Sequence, residues 1–255
     1  MRRTAIRRLA SVTGATLLLA GCAKHVIDVN AQAACGTIST RPGRAGMVVA
    51  APHGTSDLRT DQIAADIAQR TGFGLVVATG FGIEADTPQT PGRRYQVNRP
   101  SEGVPGRPAA EERASDGARQ VCEVYERRVR EVAQGPLRFY AEIHGNNRRE
   151  SAGRIEIATV GVDREYALRL RALAELVRDA HLRGHGAAPR LEVLIEPADT
   201  VRYTASGAKR EGVLRWPERA LHIELPKAAR ADFREVYTAI LADFLAQAVT
   251  LPVGR

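Results

Sequence analysis

Apolar residues follow one another along the chain in two patterns, short continuous runs and repeats of three and four positions. The short runs favour buried strands, and the repeats favour helices with one buried face. The sequence therefore predicts strands at 47–51, 75–79, 137–143, 154–160, 191–195 and 220–225. It predicts helices at 60–70, 109–133, 163–182 and 229–249.

The order of these elements predicts the fold class. Strands that alternate with helices favour an α/β domain of three layers with a central, mostly parallel or mixed sheet. We assign residues 46–255 to this one domain, because no repeat or internal linker divides them. The longest irregular segment, 82–108, is rich in Pro and Gly and contains one short extended piece at 94–98. Surface loops of this length are usually functional.

The first 22 residues have the pattern of a bacterial export signal. A basic start is followed by an apolar stretch at 9–20, which is too short for a stable membrane span. The segment Leu19-Ala20-Gly21-Cys22 resembles a lipobox, in which the signal is cleaved before a cysteine that then carries lipid. We therefore predict a signal peptide at 1–21 and a lipidated tether at 22–45. Ala23 after the cysteine predicts the periplasmic face of the outer membrane in a Gram-negative host.

The net charge of +8 first suggests a polyanionic partner such as a nucleic acid. Half of that charge comes from the four arginines of the predicted signal peptide, Arg2, Arg3, Arg7 and Arg8. The mature chain has no basic stripe with interleaved aromatic residues, so we expect no nucleic-acid partner.

Two further cysteines, Cys35 and Cys122, remain after export. In an oxidising periplasm such a pair predicts a disulfide. The alternative is that both are small buried apolar residues. Neither has the sequence context of a catalytic cysteine.

Polar groups with catalytic potential come directly after, or at the end of, three predicted strands. They are the segments 52–57, 142–146 and 222–224. In open α/β sheets, sites lie just beyond the carboxyl ends of the strands. We therefore expect these segments to meet.

Their residue types are those of a catalytic zinc site. Zinc binds neutral imidazoles and a carboxylate, and a second carboxylate then moves the proton of the attacking water. His53, Asp57 and His144 are the predicted ligands, with Asp61 as the alternative acid, and Glu224 is the predicted general base.

Neighbouring residues have predicted supporting roles. Glu142 either orients a ligand imidazole or forms an ordinary ion pair, and His222 shares a strand face with Glu224. Arginine holds a carboxylate with two parallel hydrogen bonds, which makes Arg99, with Asn98 beside it, the predicted clamp for a substrate carboxylate. Arg94 is the predicted stabiliser of the oxyanion, together with Arg148.

Four short motifs occur in the order seen in N-formylglutamate amidohydrolases, and the chain resembles that family between about residues 48 and 244. They are Pro52-His53-Gly54, Val97-Asn98-Arg99-Pro100, Ala141-Glu142-Ile143-His144 and Ile223-Glu224. The family is related to zinc carboxypeptidases and aspartoacylases. The spacing of His53, Asp57 and Thr60 is also similar to the zinc motif of phage poly-γ-glutamate hydrolases.

The resemblance implies a phosphorylase/hydrolase-like α/β fold and a zinc-dependent hydrolase that cuts an amide next to a carboxylate. It implies His53 and His144 as ligands, Asn98 and Arg99 as the clamp and Glu224 as the base. The carboxypeptidase pattern has a glutamate three residues after its first histidine, where this chain has Ser56. The acid follows at Asp57, as in the poly-γ-glutamate group.

Two functions of different classes are compatible with these residues. The first is an envelope amidohydrolase that acts on an N-acyl amino acid, a γ-glutamyl compound or a cell-wall peptide with a free carboxylate. The alternative is a non-catalytic envelope lipoprotein that binds a carboxylated ligand in the same pocket, because a fold alone does not establish activity.

Overall fold

A mixed sheet of eight strands forms the centre of the molecule, in a computed structural model that describes residues 23–27, 36–85 and 87–252. Its strands are β1 Ala23–Ile27, β2 Gly36–Arg41, β3 Arg44–Ala51, β4 Phe73–Thr79, β9 Phe139–Gly145, β10 Arg154–Val160, β11 Glu192–Ile195 and β12 Arg219–Leu225. Four short strands form a second sheet, β5 Gly82–Ile83, β6 Arg93–Tyr95, β7 Ser101–Gly103 and β8 Arg113–Ala114. The helices are α1 Thr60–Thr71, α2 Asp116–Ala133, α3 Arg164–Leu182, α4 Ser206–Glu211, α5 Lys227–Arg230 and α6 Arg234–Ala248.

The strand order of the large sheet is β1-β2-β4-β3-β9-β12-β10-β11. The central pairs β3–β4, β3–β9 and β9–β12 are parallel, as is β10–β11. The pairs β1–β2, β2–β4 and β10–β12 are antiparallel. The predicted class, an α/β domain with a mostly parallel or mixed central sheet, is confirmed.

The two faces of this sheet differ, because side chains along a strand alternate between them. Odd-numbered residues of β9 and β12, such as Ile143 and Ile223, are buried in an apolar core with α1, α3 and α6. Even-numbered residues face the side of α2. There the apolar core holds Tyr140 and Ala220, one at the start of each strand. Further along, the same face becomes polar, so the functional groups lie at the carboxyl ends of these strands.

The segment between β4 and α2 contains more regular structure than the sequence predicts. The predicted loop at 82–108 contains strands of the small sheet, and the predicted helix at 109–133 begins only at Asp116. Ser115 is extended and its side chain accepts a hydrogen bond from the backbone N–H of Ala118, which caps the helix. Strands of two or three residues are too short to show a periodic pattern of apolar residues, and they form only because neighbouring strands pair with them.

The amino-terminal region also differs from its prediction. Within the predicted tether, 22–45, the structure contains β1, β2 and the start of β3, and β2 pairs with β4 along its length. These strands therefore extend the sheet within the segment predicted from the sequence to be a lipidated tether. The predicted lipidation site, Cys22, and the signal peptide lie outside the described residues. No helix in the described part of the chain has the length and hydropathy needed to cross a bilayer.

Cys122 is buried in α2, and within the described residues it pairs with no other cysteine. Burial raises the pKa of its thiol to about 12, with a further contribution from the nearby carboxylate of Glu126. Its predicted disulfide partner, Cys35, lies outside the described residues, so the pairing stays a prediction.

Candidate metal centre

Three strands bring the predicted site residues together. The tight turn after β3 carries His53 and Asp57, and β9 ends with His144. In the parallel pair of β9 and β12, His144 lies opposite Glu224. All four side chains are buried and line one cavity of about 920 Å³. The structure therefore assembles the predicted ligands and the predicted base at the carboxyl end of the sheet.

Hydrogen bonds orient both histidines so that the same ring nitrogen, Nδ1, faces Asp57. The Nε2 of His53 lies 2.9 Å from the backbone oxygen of Gln96, which can only accept, so this nitrogen carries the proton. The Nε2 of His144 lies 3.0 Å from Oε2 of Glu142 and donates to it. The two Nδ1 atoms are left to point at one carboxylate oxygen, Oδ2 of Asp57.

The spacing of the Asp57 oxygen from the two imidazoles fits a zinc ion. Oδ2 of Asp57 lies 3.2 Å from Nδ1 of His53 and 3.4 Å from Nδ1 of His144. Ligand distances of about 2.0–2.2 Å in a tetrahedron place neighbouring donor atoms about 3.3–3.6 Å apart. Two imidazoles and one carboxylate are also the donor set of a catalytic zinc site. Asp61, the alternative ligand, lies in the first turn of α1 and belongs to no such cluster in the described chain.

The charges of this group are strongly coupled. Burial lowers the pKa of His53 to about 4, aided by the positive charge of Arg94, so its imidazole is neutral at pH 7. Burial alone would raise the pKa of Asp57, but the neighbouring imidazoles of His53 and His144 lower it well below its usual range. Burial alone would lower the pKa of His144, but its hydrogen bonds to Asp57 and Glu142 raise it to about 9. The metal-free site therefore holds a proton on His144.

Metal affinity should increase with pH as a result. A metal ion must displace the proton on His144, whose pKa in the folded chain is about 9. The affinity should therefore rise about tenfold per pH unit from pH 6 and level off near pH 9. Competition titrations of Zn²⁺ against a chelator of known proton affinity measure this slope. An affinity that does not change over this range would show that His144 holds no proton to be displaced.

Glu142 is a positioning residue in the fully buried layer behind the ligands. Its Oε2 accepts hydrogen bonds from Asn98 Nδ2 at 3.0 Å, from His144 Nε2 and from His222 Nδ1 at 2.9 Å. Glu142, His144 and His222 also have donor atoms close enough for a metal ion. Glu142 is fully buried and is not among the residues that line the cavity, whereas His53, Asp57 and His144 all line it. Burial alone would raise the pKa of Glu142, but the hydrogen bonds and the charges of both histidines lower it below its usual range.

Glu224, the predicted general base, is buried at the carboxyl end of β12. Its Oε1 lies 3.4 Å from Nε2 of His222, and its Oε2 is buried with no hydrogen-bond partner among the described residues. Burial alone would raise the pKa of Glu224, but the hydrogen bond to His222 and the charge of His144 lower it. The carboxylate is therefore ionised at neutral pH and has one oxygen free to accept a proton.

The predicted arginines have different surroundings. Arg94 lies beside the donor cluster, where its Nη1 donates to Ser56 Oγ at 2.8 Å and to Asp57 Oδ1 at 3.3 Å. Arg99 lines the cavity, but its Nε and Nη2 donate to both carboxylate oxygens of Glu112, at 2.8 and 2.5 Å. Its two parallel donors are therefore already occupied by a carboxylate of the chain itself.

Asn98 does not line the cavity in this structure. It is fully buried and donates to Glu142, so its observed role is to hold the carboxylate that orients His144. Its neighbour Val97 has a left-handed backbone conformation, with φ 61°, which is strained for a β-branched residue. This turn directs the backbone oxygen of Gln96 to His53 and the side chain of Asn98 to Glu142.

Arg230 is a residue of the site that the sequence does not single out. It is buried and forms no ion pair with a carboxylate of the described residues, and its five N–H groups all meet oxygen acceptors of neighbouring loops. The acceptors are the backbone oxygens of Asp57, Leu58, Asn146 and Leu225 and the side-chain oxygen of Asn147. Gly145 is required next to it, because a Cβ at that position would collide with the guanidinium. Arg230 thus joins the turn that carries Asp57 to the turn that follows His144.

Replacing Arg230 by Met should lower the free energy of unfolding by about 3 kcal/mol or more. Each buried carbonyl left without a donor costs about 1–3 kcal/mol, and several lose theirs at once. Urea unfolding measures the change, with the exposed Arg70→Met, in the last turn of α1, as the matched control. A loss below about 1 kcal/mol would mean that water replaces the guanidinium at no appreciable cost.

No protein-family model matches this chain, and no curated protein is detectably similar to it. Among solved structures, 17 chains are similar. A bacteriophage poly-γ-glutamate hydrolase is 12% identical, with a TM-score of 0.45 over 84% of this chain and 88% of the hydrolase. A metallo-carboxypeptidase of Burkholderia cenocepacia is 9% identical, with a TM-score of 0.41 over 92% of this chain and 66% of the enzyme.

An N-acetylmuramoyl-L-alanine amidase of Nostoc punctiforme is 14% identical, with a TM-score of 0.33 over 82% of this chain and 97% of the amidase. The names of these three proteins describe hydrolases of amide or peptide bonds. Likenesses at this level do not assign the chemistry of this chain, which depends on its own donor atoms. The narrower resemblance to N-formylglutamate amidohydrolases stays a prediction.

Proposed function

We propose that this protein is a zinc-dependent amidohydrolase of the bacterial cell envelope, similar to N-formylglutamate amidohydrolases. Its substrate is an amide next to a free carboxylate, in an N-acyl amino acid, a γ-glutamyl compound or a cell-wall peptide. The observation that carries the proposal is the convergence of His53, His144 and Asp57, whose donor atoms all lie within 4.8 Å of one another, with Asp57 Oδ2 3.2 and 3.4 Å from the two Nδ1 atoms. Glu224, an ionised carboxylate with a free oxygen, lines the same cavity.

His53, Asp57 and His144 would hold the zinc ion. The Nε2 atoms of both histidines donate hydrogen bonds, which leaves the two Nδ1 atoms to bind the metal. Bound zinc supplies a Lewis acid that polarises the scissile carbonyl and makes a water molecule acidic enough to attack near neutral pH. Glu224 accepts the proton of that water and passes it to the departing amine. Arg94, 2.8 Å from Ser56 Oγ at the cavity wall, donates to the oxygen on which negative charge develops.

The predicted lipid on Cys22 would anchor the protein to the periplasmic face of the outer membrane. The first 22 residues support this location, because a basic start is followed by an apolar stretch and then by Leu-Ala-Gly-Cys. The partners that follow are the membrane, through the lipid, and a small-molecule or peptide substrate. Labelling cells with a palmitate analogue, with a Cys22→Ser variant as the control, tests the anchor. A mature chain that incorporates no label would contradict it.

One experiment combines metal analysis with a substrate screen. The purified chain is stripped with a chelator, reloaded with Zn²⁺ and offered N-acyl amino acids, N-formylglutamate among them, γ-glutamyl amides and stem peptides. Each substrate is paired with the analogue whose carboxylate is replaced by a carboxamide. We expect about one zinc per chain and faster hydrolysis of the carboxylate member of the reactive pair.

Two outcomes would contradict the proposal. A chain that binds no metal after reconstitution would exclude the zinc centre. A chain that binds zinc and gains thermal stability with a carboxylated ligand, but hydrolyses none of the panel, would instead support the alternative of a ligand-binding lipoprotein.

A further inference from the structure

A second cavity adjoins the one that contains the metal centre. It has a volume of about 560 Å³ and is lined by Leu58, Asn146, Asn147, Arg148, Arg149, Ala152 and Lys227. Asn146, Asn147 and Arg148 line both cavities, so the two adjoin at the turn after β9. A ligand that extends from the metal centre past this turn enters the second cavity.

The charge of the second cavity is unbalanced. Three of its lining residues, Arg148, Arg149 and Lys227, are cationic, and none is acidic. In the described part of the chain, none of these three side chains forms an ion pair or a side-chain hydrogen bond. Uncompensated cations around a concave surface favour a negatively charged ligand.

The first cavity also contains arginines whose charge is not compensated. Arg94 and Arg99 donate to carboxylates of the chain, and Arg230 donates to oxygens of the surrounding loops. Arg148 and Arg202 are the lining arginines whose side chains meet no acceptor within the described residues. They are therefore the cations available to a ligand carboxylate near the metal centre.

Uncharged polar groups between these cations also have no partner. Asn146 is 7% exposed, yet both its Nδ2 and its Oδ1 are without a hydrogen bond among the described residues. The buried hydroxyl of Tyr203, another lining residue of the first cavity, is likewise unpartnered. Buried polar atoms are nearly always hydrogen-bonded, so these atoms indicate contacts that a ligand completes.

We propose that the two cavities form one binding channel for an extended acidic ligand with at least two carboxylates, such as an acidic oligopeptide. One carboxylate binds to Arg148 and Arg202 beside the metal centre, and a second binds to Arg149 and Lys227. Asn146 binds the amide between them. The assignment of the scissile bond to the metal end rests on the function proposed above, whereas the binding channel does not.

Binding measured without turnover tests this channel. The zinc-loaded Glu224→Gln protein is titrated by calorimetry with three probes: tetraglutamate, N-acetylglutamate and tetraglutamine. We expect tetraglutamate to bind at least about tenfold more tightly than either of the other two, because each additional exposed ion pair adds a modest factor. In the Arg149→Ala/Lys227→Ala variant, the advantage of tetraglutamate over N-acetylglutamate should fall about tenfold.

The matched control removes two exposed arginines far from both cavities, in Arg70→Ala/Arg127→Ala, and should leave that advantage unchanged. Thermal unfolding of each variant confirms that it is folded. The proposal is overturned if tetraglutamate binds no more tightly than N-acetylglutamate or tetraglutamine. It is equally overturned if the advantage of tetraglutamate survives the loss of Arg149 and Lys227. A failure of the wild-type protein to hydrolyse any amide, with this length dependence intact, would contradict the proposed enzyme alone.

Discussion

Replacing Glu224 by Gln should lower the rate of amide hydrolysis by about 10²–10⁴-fold while zinc stays bound, because a positioned general base contributes a factor of that size. The amide of Gln is nearly the same size as the carboxylate but cannot accept the proton of water. Glu224 is not among the clustered donor atoms of His53, Asp57 and His144, so metal binding should be retained. The separation of catalysis from metal binding is what distinguishes a base from a ligand.

Glu218→Gln is the matched control for this variant. Glu218 is exposed and directly precedes β12, at the opposite end of the strand from the site. Its replacement by Gln is therefore the same chemical change, made away from the cavity. Zinc content is measured on both variants together with kcat and KM. A Glu224→Gln protein with undiminished kcat would remove Glu224 from the mechanism. Loss of zinc together with activity would instead make Glu224 a metal ligand.

Replacing His53 or Asp57 by Ala should weaken zinc binding by about two to three orders of magnitude. Zinc sites with four protein ligands bind with about 10–16 kcal/mol, so each ligand contributes about 3 kcal/mol. Both variants should therefore lose their metal on dialysis against a chelator that leaves the wild-type protein loaded. Hydrolysis should be lost with the metal and should not return at ordinary zinc concentrations.

His181→Ala is the control for the loss of an imidazole. His181 lies in the last turn of α3, where its Nε2 contacts Asp243 at 2.7 Å, away from the cavity. Metal content is determined by elemental analysis, and circular dichroism establishes that each variant is folded. Unchanged zinc content in both Asp57→Ala and His53→Ala would place the metal elsewhere and contradict the site described here.

The periodicity of the sequence was sufficient to predict the central layers. Apolar runs predicted β3, β4 and β9–β12, and the repeat of Tyr125, Val129 and Val132 predicted the buried face of α2. These elements are stabilised by the burial of apolar side chains, and the spacing of apolar residues in the sequence predicts which side chains are buried. The candidate site followed from the same elements, because His53 follows one predicted strand and His144 another, and sites in such sheets lie beyond the carboxyl ends of strands.

Other parts of the site depend on pairing that the sequence does not encode locally. β2 and the small sheet around Arg94 are too short or too polar to show a period, and they form because another strand is available. Arg230 lies in a four-residue helix, with nothing in its neighbours to distinguish it from the other arginines of the chain. Its importance arises from carbonyl groups as far away in sequence as Asp57.

The sequence by itself therefore determined the α/β class and the residue types of a candidate metal site, since burial periodicity and ligand chemistry are local properties. Only the tertiary structure favours Asp57 over Asp61 as the proposed ligand, because that preference depends on which oxygen lies within 3.2–3.4 Å of two imidazoles. It also decided which arginines are free. The guanidinium of Arg99 could hold a substrate carboxylate but is paired with Glu112. Arg148 and Arg202 have no such partner in the described chain. Whether a charge is compensated depends on its neighbours in space, and folding alone brings those neighbours together.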